Sequence, residues 1–429
     1  GGVAYRCSFR VTEAAYCIER AMDILAQKLG MDPADLRMKN FIQPQQFPYQ
    51  SALGWEYDSG DYPTALKKGM ETVGYRALRV EQKAKQEAFN RGETREIMGI
   101  GVAFFTEIVG AGPSRNCDIL GVGMFDSAEI RVHPTGSIIA RMGTKSQGQA
   151  HETTYAQIIA TELGIPSEVI QVEEGDTSTA PYGLGTYGSR SISVGGAAIM
   201  KALDKIESKA KKIAAHLMEA ADTDIEFANG EFSVKGTDKK IPFGQVALTA
   251  YVPHNYPLDK LEPGLNETAF YDPTNFTFPA GTYIAEVEVN QNTGEVKLDR
   301  FTAVDDFGTI INPMIVEGQV HGGLVQGIGQ ALMERCVYDR ETGQLLTGSF
   351  MDYAMPRADD FPEFKIGHVC TPCTHNPLGT KGCGEAGAIG SPPAVINAVL
   401  DALAPLGVKD LDMPASPHRV WEAIQAAHV

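Results

Sequence analysis

A strand–turn–strand unit followed by a glycine-rich stretch and a helix occurs twice in this chain, and such a duplication narrows the available folds more than any other feature. The first copy is AEIRVHPTGSIIARMG, starting at Ala128, with Pro134, Thr135 and Gly136 marking its turn. The second, TYIAEVEVNQNTGEVKLDRFTAV, sets Ala285-Glu286 against Ala128-Glu129 and Thr293-Gly294 against Thr135-Gly136. Helices over His151 to Leu163 and Glu317 to Glu334 follow the two hairpins. The pairing predicts an α+β domain, residues 96–429, with two related lobes of about 96–250 and 281–429 and a ligand crevice between them. Residues 1–95 read as mainly helical. In that part Thr12 to Leu29 is an amphipathic helix burying Cys17, Ile18, Met22, Ile24, Leu25 and Leu29, and Gly30 stops it. Asp32-Pro33 caps a short helix, and Tyr62 to Gly74 and Ala77 to Asn90 are helical. Lys201 to Met218 is a helix with a solvated lysine face, residues 252–280 a long loop, and Pro392 to Leu403 and Pro417 to Ala427 further helices.

Charge excludes some partners. With 37 Lys+Arg against 54 Asp+Glu the net charge is −17, and no basic block interrupts it. Phosphate backbones and anionic lipid would repel such a chain, so nucleic acid is not an expected partner. No apolar run approaches the roughly 20 residues that span a bilayer, and no signal sequence is read at the start. A cytoplasmic protein is expected, with the inner face of the membrane as an alternative station. Seven cysteines, an odd number in 429 residues, point to reduced thiols. The opening Gly1-Gly2-Val3-Ala4, without Met, is read as the later part of a longer polypeptide.

Signatures of several hydrolases are missing: there is no GxxxxGK[ST] loop, no GxSxG elbow and no HExxH, since His151-Glu152 lacks the second His. Glycine is abundant instead, 45 residues against a usual share of about 7%. It clusters in SQGQAH (146–151), GLGTYG (183–188), Gly318 to Gly329 and GCGEAG (382–387), each beside or within a helix. Such runs let backbone N–H groups approach an anionic or flat ligand, and helix N-termini add a favourable dipole. The four stretches are predicted to converge on one bulky phosphate-bearing cofactor; tight turns and close helix packing are the alternative use of the same glycines. In AYRCSFR (4–10), Cys7 stands between Arg6 and Arg10 before a helix, a setting that lowers a thiol pKa and suits a soft metal such as copper(I). Cys370-x-x-Cys373 is a single pair without the second that a zinc ribbon needs. Glu385, inside a glycine loop, is a candidate general base.

SQGQAHETTYAQI, GLGTYGSRSISVGG, AVDDFGTIINPMIVEGQVHGGLVQGIGQAL and GTKGCGEAGAIGSPPAVINA, in this order and spacing, resemble the molybdenum-binding large subunit of the xanthine dehydrogenase and aldehyde oxidase family over essentially the whole chain. Within that family AYRCSFR is similar to the active-site loop of the molybdenum-copper carbon monoxide dehydrogenases, whereas ordinary hydroxylases carry a glycine-containing loop there.

The resemblance implies molybdenum held by molybdopterin cytosine dinucleotide, with copper(I) on the sulfur of Cys7. Carried over by motif, Gln147, Gly148, Gln149 and His151 line the pterin or dinucleotide. Gly185, Thr186, Tyr187, Gly188, Ser189, Arg190 and Ser191 form a second cradle, with Arg190 a phosphate contact. Gln319 and Gln326 approach from a helix, and Lys381, Gly382, Cys383 and Gly384 complete the set. Glu385 falls on the family's catalytic glutamate, while Arg6, Ser8 and Phe9 shape the loop around Cys7. The implied reaction is oxidation of carbon monoxide with water to carbon dioxide. Electrons would pass to a small subunit with iron-sulfur clusters and a medium subunit with FAD, in a dimer of heterotrimers. Two other readings stay open: a copper-free molybdenum hydroxylase of aldehydes or aromatic heterocycles, and a glycine-rich assembly subunit without a redox centre.

Overall fold

The computed structural model describes residues 9–115 and 123–427. Helices α1 (Phe9–Leu29), α2 (Pro33–Asn40), α3 (Tyr62–Val73) and α4 (Tyr75–Asn90) form the N-terminal part, with a ribbon of β1 (Tyr49–Gln50) and β2 (Glu56–Tyr57) between α2 and α3. Then come β3 (Glu96–Thr106), β4 (Asp126–Val132), β5 (Ile138–Met142), α5 (His151–Leu163), β6 (Ile170–Glu174) and α6 (Gly196–Met218). Strands β7 (Ile225–Ala228), β8 (Glu231–Val234) and β9 (Lys240–Pro242) make a small separate sheet next to α7 (Phe243–Thr249). The chain continues through β10 (Leu265–Tyr271), β11 (Ala280–Asn290), β12 (Val296–Asp306), α8 (Pro313–Leu332), β13 (Phe364–Val369), α9 (Ala386–Leu403) and α10 (Pro417–Ala427).

The duplication is visible in the sheets. In each four-stranded sheet a hairpin is followed by a helix and by a strand parallel to the hairpin's second member: β4–β5–α5–β6 in one, β11–β12–α8–β13 in the other. The fourth strand pairs antiparallel with the hairpin's first member and comes from elsewhere in the chain. Strand β3 lies along β11, Thr106 opposite Ala280 and Glu96 opposite Asn290, while β10 lies along β4. Thus β3, at the head of the 96–250 range, joins the sheet of the other lobe. Residues 252–280, read as a loop because Pro, Asn and Tyr crowd it, supply β10. The α+β, internally duplicated architecture expected from the sequence is present.

Helix α9 is the axis of the larger core, packed on β3, β11, α8 and α1. Glycines of β3 allow this: a Cβ at Gly99 would lie 1.9 Å from the carbonyl oxygen of Ala398, and one at Gly101 1.9 Å from that of Ala394. The helix begins at Ala386, not at Pro392 as the preference of proline for a first turn predicts. Pro392 and Pro393 sit inside it, giving up two backbone bonds while every residue from Ala386 to Leu400 is buried. With the turn that follows, Ala386–Leu406 is long and apolar enough to cross a membrane, but most of it lies inside this core.

Helix α1 reverses its predicted orientation. Ile18 is 61% and Leu29 57% exposed, whereas Glu19, Arg20, Asp23 and Ala26 are buried. The buried charges satisfy one another: Arg37 pairs with Glu19 at 2.7 Å and Asp23 at 2.8 Å, and Arg20 donates to Asn397 of α9 at 2.5 Å. Glu19 also accepts the backbone N–H of Phe104 at 2.8 Å, so this network ties α1 and α2 to β3.

Candidate functional site

One cavity is lined from both lobes by residues of all four glycine-rich stretches: Gln149 and His151, Thr186, Gln319, Cys383 and Gly384, with Ser189, Ser191 and Lys381 beside them. His151 opens α5, Ser191 opens the turn that leads into α6, Asn312 caps α8, and Gly384 stands just before α9. Several helix starts around one space bring positive dipole ends to it, an arrangement that suits an anion. Ala150 (φ 56°) and Ser189 (φ 49°) hold left-handed backbone without being glycine, two of only four such positions among the described residues. Strain of this kind costs about 1–3 kcal/mol and concentrates at ligand clamps.

The side chains form an ordered lining. His151 Nδ1 donates to Glu174 at 3.1 Å, which fixes the orientation of the ring. Thr186 and Ser191 share a hydroxyl hydrogen bond of 2.8 Å, and Ser189 Oγ donates to Oε2 of Glu385 at 2.8 Å. Gln147, Gly148, Gly185, Tyr187 and Gly188 belong to the adjoining loops without lining the cavity, and Gln326 lies two turns beyond Gln319. Gly382 is a contact point: a Cβ there would sit 2.2 Å from the carbonyl oxygen of Ser189. Arg6, Cys7 and Ser8 lie outside the described residues, and Phe9 is described only as the first backbone position of α1.

Two cations of the predicted set are held by protein groups. Arg190 faces away from the cavity lining. Its guanidinium is fully buried, pairs with Asp126 at 2.6 Å and donates to the carbonyl oxygens of Ala111, Met124, Phe125 and Gly185, so it braces the second cradle from behind. Lys381 lines the cavity, but its ammonium is held by Asp306 at 3.3 Å, Thr371 at 3.0 Å and the carbonyl of Ser59 at 3.3 Å. The two thiols of the Cys370-x-x-Cys373 pair have separate surroundings, Cys370 exposed and Cys373 buried.

Glu107 and Asp305, not singled out in the sequence, are buried next to this site. Glu107 follows β3 directly and is 0% exposed, and its carboxyl oxygens make no hydrogen bond of ordinary geometry among the described residues. Burial, then the charges of Glu385 and Asp305, raise its pKa well above the usual carboxylate range. Asp305, near the end of β12, is raised well above its usual value chiefly by burial, the hydroxyl of Tyr283 lying 3.3 Å away. The same desolvation, with these two carboxyls, pushes the Cys383 thiol up to about 12, which makes it a poor nucleophile. The available signal in sequence is a carboxylate ending an otherwise apolar strand, as in IMGIGVAFFTE and RFTAVDD.

Comparison with known proteins fits this geometry. A family model described as the molybdopterin cofactor-binding domain matches residues 68–362, and a second model of the same description matches residues 2–41. The chain belongs to the molybdopterin cofactor-binding family. Among curated members of the family it is 59% identical, over 98% of its length, to the carbon monoxide dehydrogenase large chain of Afipia carboxidovorans, of which it covers 52%. It is 36% identical over 99% of its length to the nicotine 6-hydroxylase large subunit of Paenarthrobacter nicotinovorans, again covering 52%. A solved structure of a Cu,Mo-CO dehydrogenase in its carbon monoxide reduced state superposes with a TM-score of 0.95 at 58% identity, covering 100% of this chain and 54% of that one. The chain thus spans about half the length of the relatives it matches.

Proposed function

We propose that this chain forms the later half of the molybdenum-binding large subunit of an aerobic carbon monoxide dehydrogenase, oxidising carbon monoxide with water to carbon dioxide, two electrons and two protons. The observation that carries the reading is the meeting of four glycine-rich stretches at one cavity, with Ser189 of its lining bonded to Glu385. High identity to a carbon monoxide dehydrogenase large chain narrows it. The residues present fit molybdopterin cytosine dinucleotide. Helix starts and glycine loops suit a pyrophosphate, the amides of Gln149 and Gln319 suit a pterin's mixed donors and acceptors, and buried Thr380 Oγ1 on the cavity wall lacks a partner among the described residues. When bound, the cofactor supplies two-electron acceptance and oxygen transfer at molybdenum, and copper(I) supplies a soft, electron-rich site for carbon monoxide.

In this proposal Cys7 holds the copper, and Arg6, Ser8 and Phe9 fix its loop. Glu385 takes up the proton of the reacting water while the Ser189 hydroxyl keeps its carboxylate oriented. Glu107 and Asp305, whose neutral forms are favoured, add no negative charge beside it. Electrons leave to an iron-sulfur small subunit and an FAD medium subunit in a dimer of heterotrimers. Copper and molybdenum analysis of the full-length purified complex tests this. We expect about one copper per molybdenum, and Cys7→Ser to lose copper and carbon monoxide oxidation while retaining molybdenum. Similarity to a nicotine 6-hydroxylase large subunit favours a second reading, a copper-free molybdenum hydroxylase of heterocycles or aldehydes. Molybdenum with full hydroxylase activity and no copper would establish it instead.

A further inference from the structure

Among the described residues, Asp58, Cys373 and His375 place a carboxylate, a thiol and an imidazole with their ligand atoms within 4.8 Å of one another. Cys373 Sγ lies 3.4 Å from Nδ1 of His375, and Asp58 Oδ2 lies 3.5 Å from the same nitrogen. A tetrahedral zinc ion with bonds of about 2.0–2.3 Å sets its ligand atoms roughly 3.3–3.7 Å apart, so these two separations match two edges of its coordination shell, the third lying within 4.8 Å. Nε2 of His375 donates to the carbonyl oxygen of Asn275 at 3.1 Å and leaves Nδ1 as its coordinating nitrogen; Cys373 Sγ lies 3.6 Å from Nε2 as well, so the thiol flanks the ring and a turn of the imidazole brings sulfur and nitrogen onto one ion. Asp58 provides an independent sign. Its side chain is 4% exposed, and while Oδ2 accepts the Thr374 N–H at 2.8 Å and the Thr374 hydroxyl at 3.3 Å, Oδ1 has no hydrogen-bond partner among the described residues. A buried carboxylate oxygen left so is costly unless a cation or donor meets it.

The donor set selects the metal. Thiolate with imidazole excludes magnesium and calcium, which take oxygen ligands, and favours a borderline d10 ion. Two anionic ligands balance a divalent charge. Leu53, Trp55, Glu56 and Thr274 line a cleft that reaches Asp58 and His375, through which water can supply the fourth ligand. The three residues come from distant segments, Asp58 just after β2 and the other two in the loop between β13 and α9. We propose that Asp58, Cys373 and His375 form a zinc-class structural site that fastens the β1–β2 ribbon to the loop bearing Lys381 and Glu385.

The test uses the full-length purified complex grown with zinc available, measured by elemental analysis and by X-ray absorption at the zinc edge. About one tightly held zinc per large chain is expected, with one sulfur near 2.3 Å and lighter ligands near 2.0 Å. Cys373→Ser should remove the sulfur shell, and Asp58→Asn, which keeps the shape, should weaken zinc retention about tenfold or more, both with molybdenum retained. Zinc absent from the parent, bound without sulfur, or unchanged in Asp58→Asn would overturn the proposal and leave an imidazolium held between carboxylate and thiol. If Cys373→Ser fails to fold, the parent's sulfur shell and Asp58→Asn still decide. Zinc content is read separately from molybdenum and copper, so this result and that of the cavity reading fail independently.

Discussion

Replacing Arg190 separates a brace from a phosphate ligand. Its guanidinium makes five hydrogen bonds, to Asp126 and to four backbone carbonyls, and the ion pair with Asp126 is 0% exposed on both sides. Arg190→Met strands Asp126 in the interior, and removing one partner of a buried pair costs about 3–5 kcal/mol. Burial already raises the Asp126 carboxyl, with Arg190 acting against it, so the variant's carboxyl should take up a proton and keep the loss near the lower end. Arg190→Lys keeps the charge but cannot serve every acceptor; two orphaned carbonyls, such as those of Ala111 and Met124, cost about 2–4 kcal/mol together. At about 2.1 cal/mol/K per residue, a full-length chain about twice as long as these 429 residues loses roughly 0.6 °C of Tm per kcal/mol, so we expect Tm to fall by about 2 °C for Met and about 1–2 °C for Lys. Differential scanning calorimetry of the full-length protein, with and without cofactor, measures this. The fall should be present in the stripped protein as well. Unchanged Tm in the stripped variants, with cofactor affinity alone reduced, would show that Arg190 contacts phosphate after all.

Glu385→Gln should assemble with molybdenum retained and lose turnover by about 100-fold or more, read by carbon monoxide-dependent dye reduction; undiminished turnover removes Glu385 from the chemistry. Because the folded pKa of Glu107 is raised, its contribution to stability is complete below the ordinary carboxylate range and is lost as pH rises towards the folded value. Glu107→Gln should therefore flatten the decline of the urea midpoint above about pH 5, and parallel parent and variant curves would contradict the assignment. Gly101→Ala, which drives a methyl into the Ala394 carbonyl, should cost about 3 kcal/mol or more, whereas Gly318→Ala, with open space around it, should stay within about 1 kcal/mol in thermal unfolding.

Periodicity and turn chemistry make the two hairpins, α5 and the duplicated plan legible in the sequence, because both signals are local. The glycine-rich loops that meet at the cavity are legible for the same reason: glycine in clusters states a backbone need before any contact is known. What escapes depends on distant partners. A cation in a glycine loop reads as a ligand for phosphate, and only the folded chain reveals that Asp126 and four carbonyls surround Arg190. Glu19, Arg20 and Asp23 lie outside the apolar side predicted for α1, and their burial follows only once Arg37 and Asn397 are placed against them. Pro392 reads as a helix start because its local preference outranks an apolar core that only tertiary packing supplies. Glu107 and Asp305 read as ordinary strand ends, since nothing nearby in sequence reports their burial.

The crossing of β3 and β10 between the two sheets sets a schedule for synthesis. Strand β3 is complete at Thr106, but its only sheet neighbour among the described residues starts at Ala280. At about 5–20 residues per second the ribosome needs roughly 9–35 s to deliver that partner, during which an apolar strand has bare edges. Neither sheet can close early, and a nick between the lobes would leave both with a missing rung. The molecule is thus bound to mature late and as one unit, and nascent chains halted before Asn290 should be ready clients for chaperones.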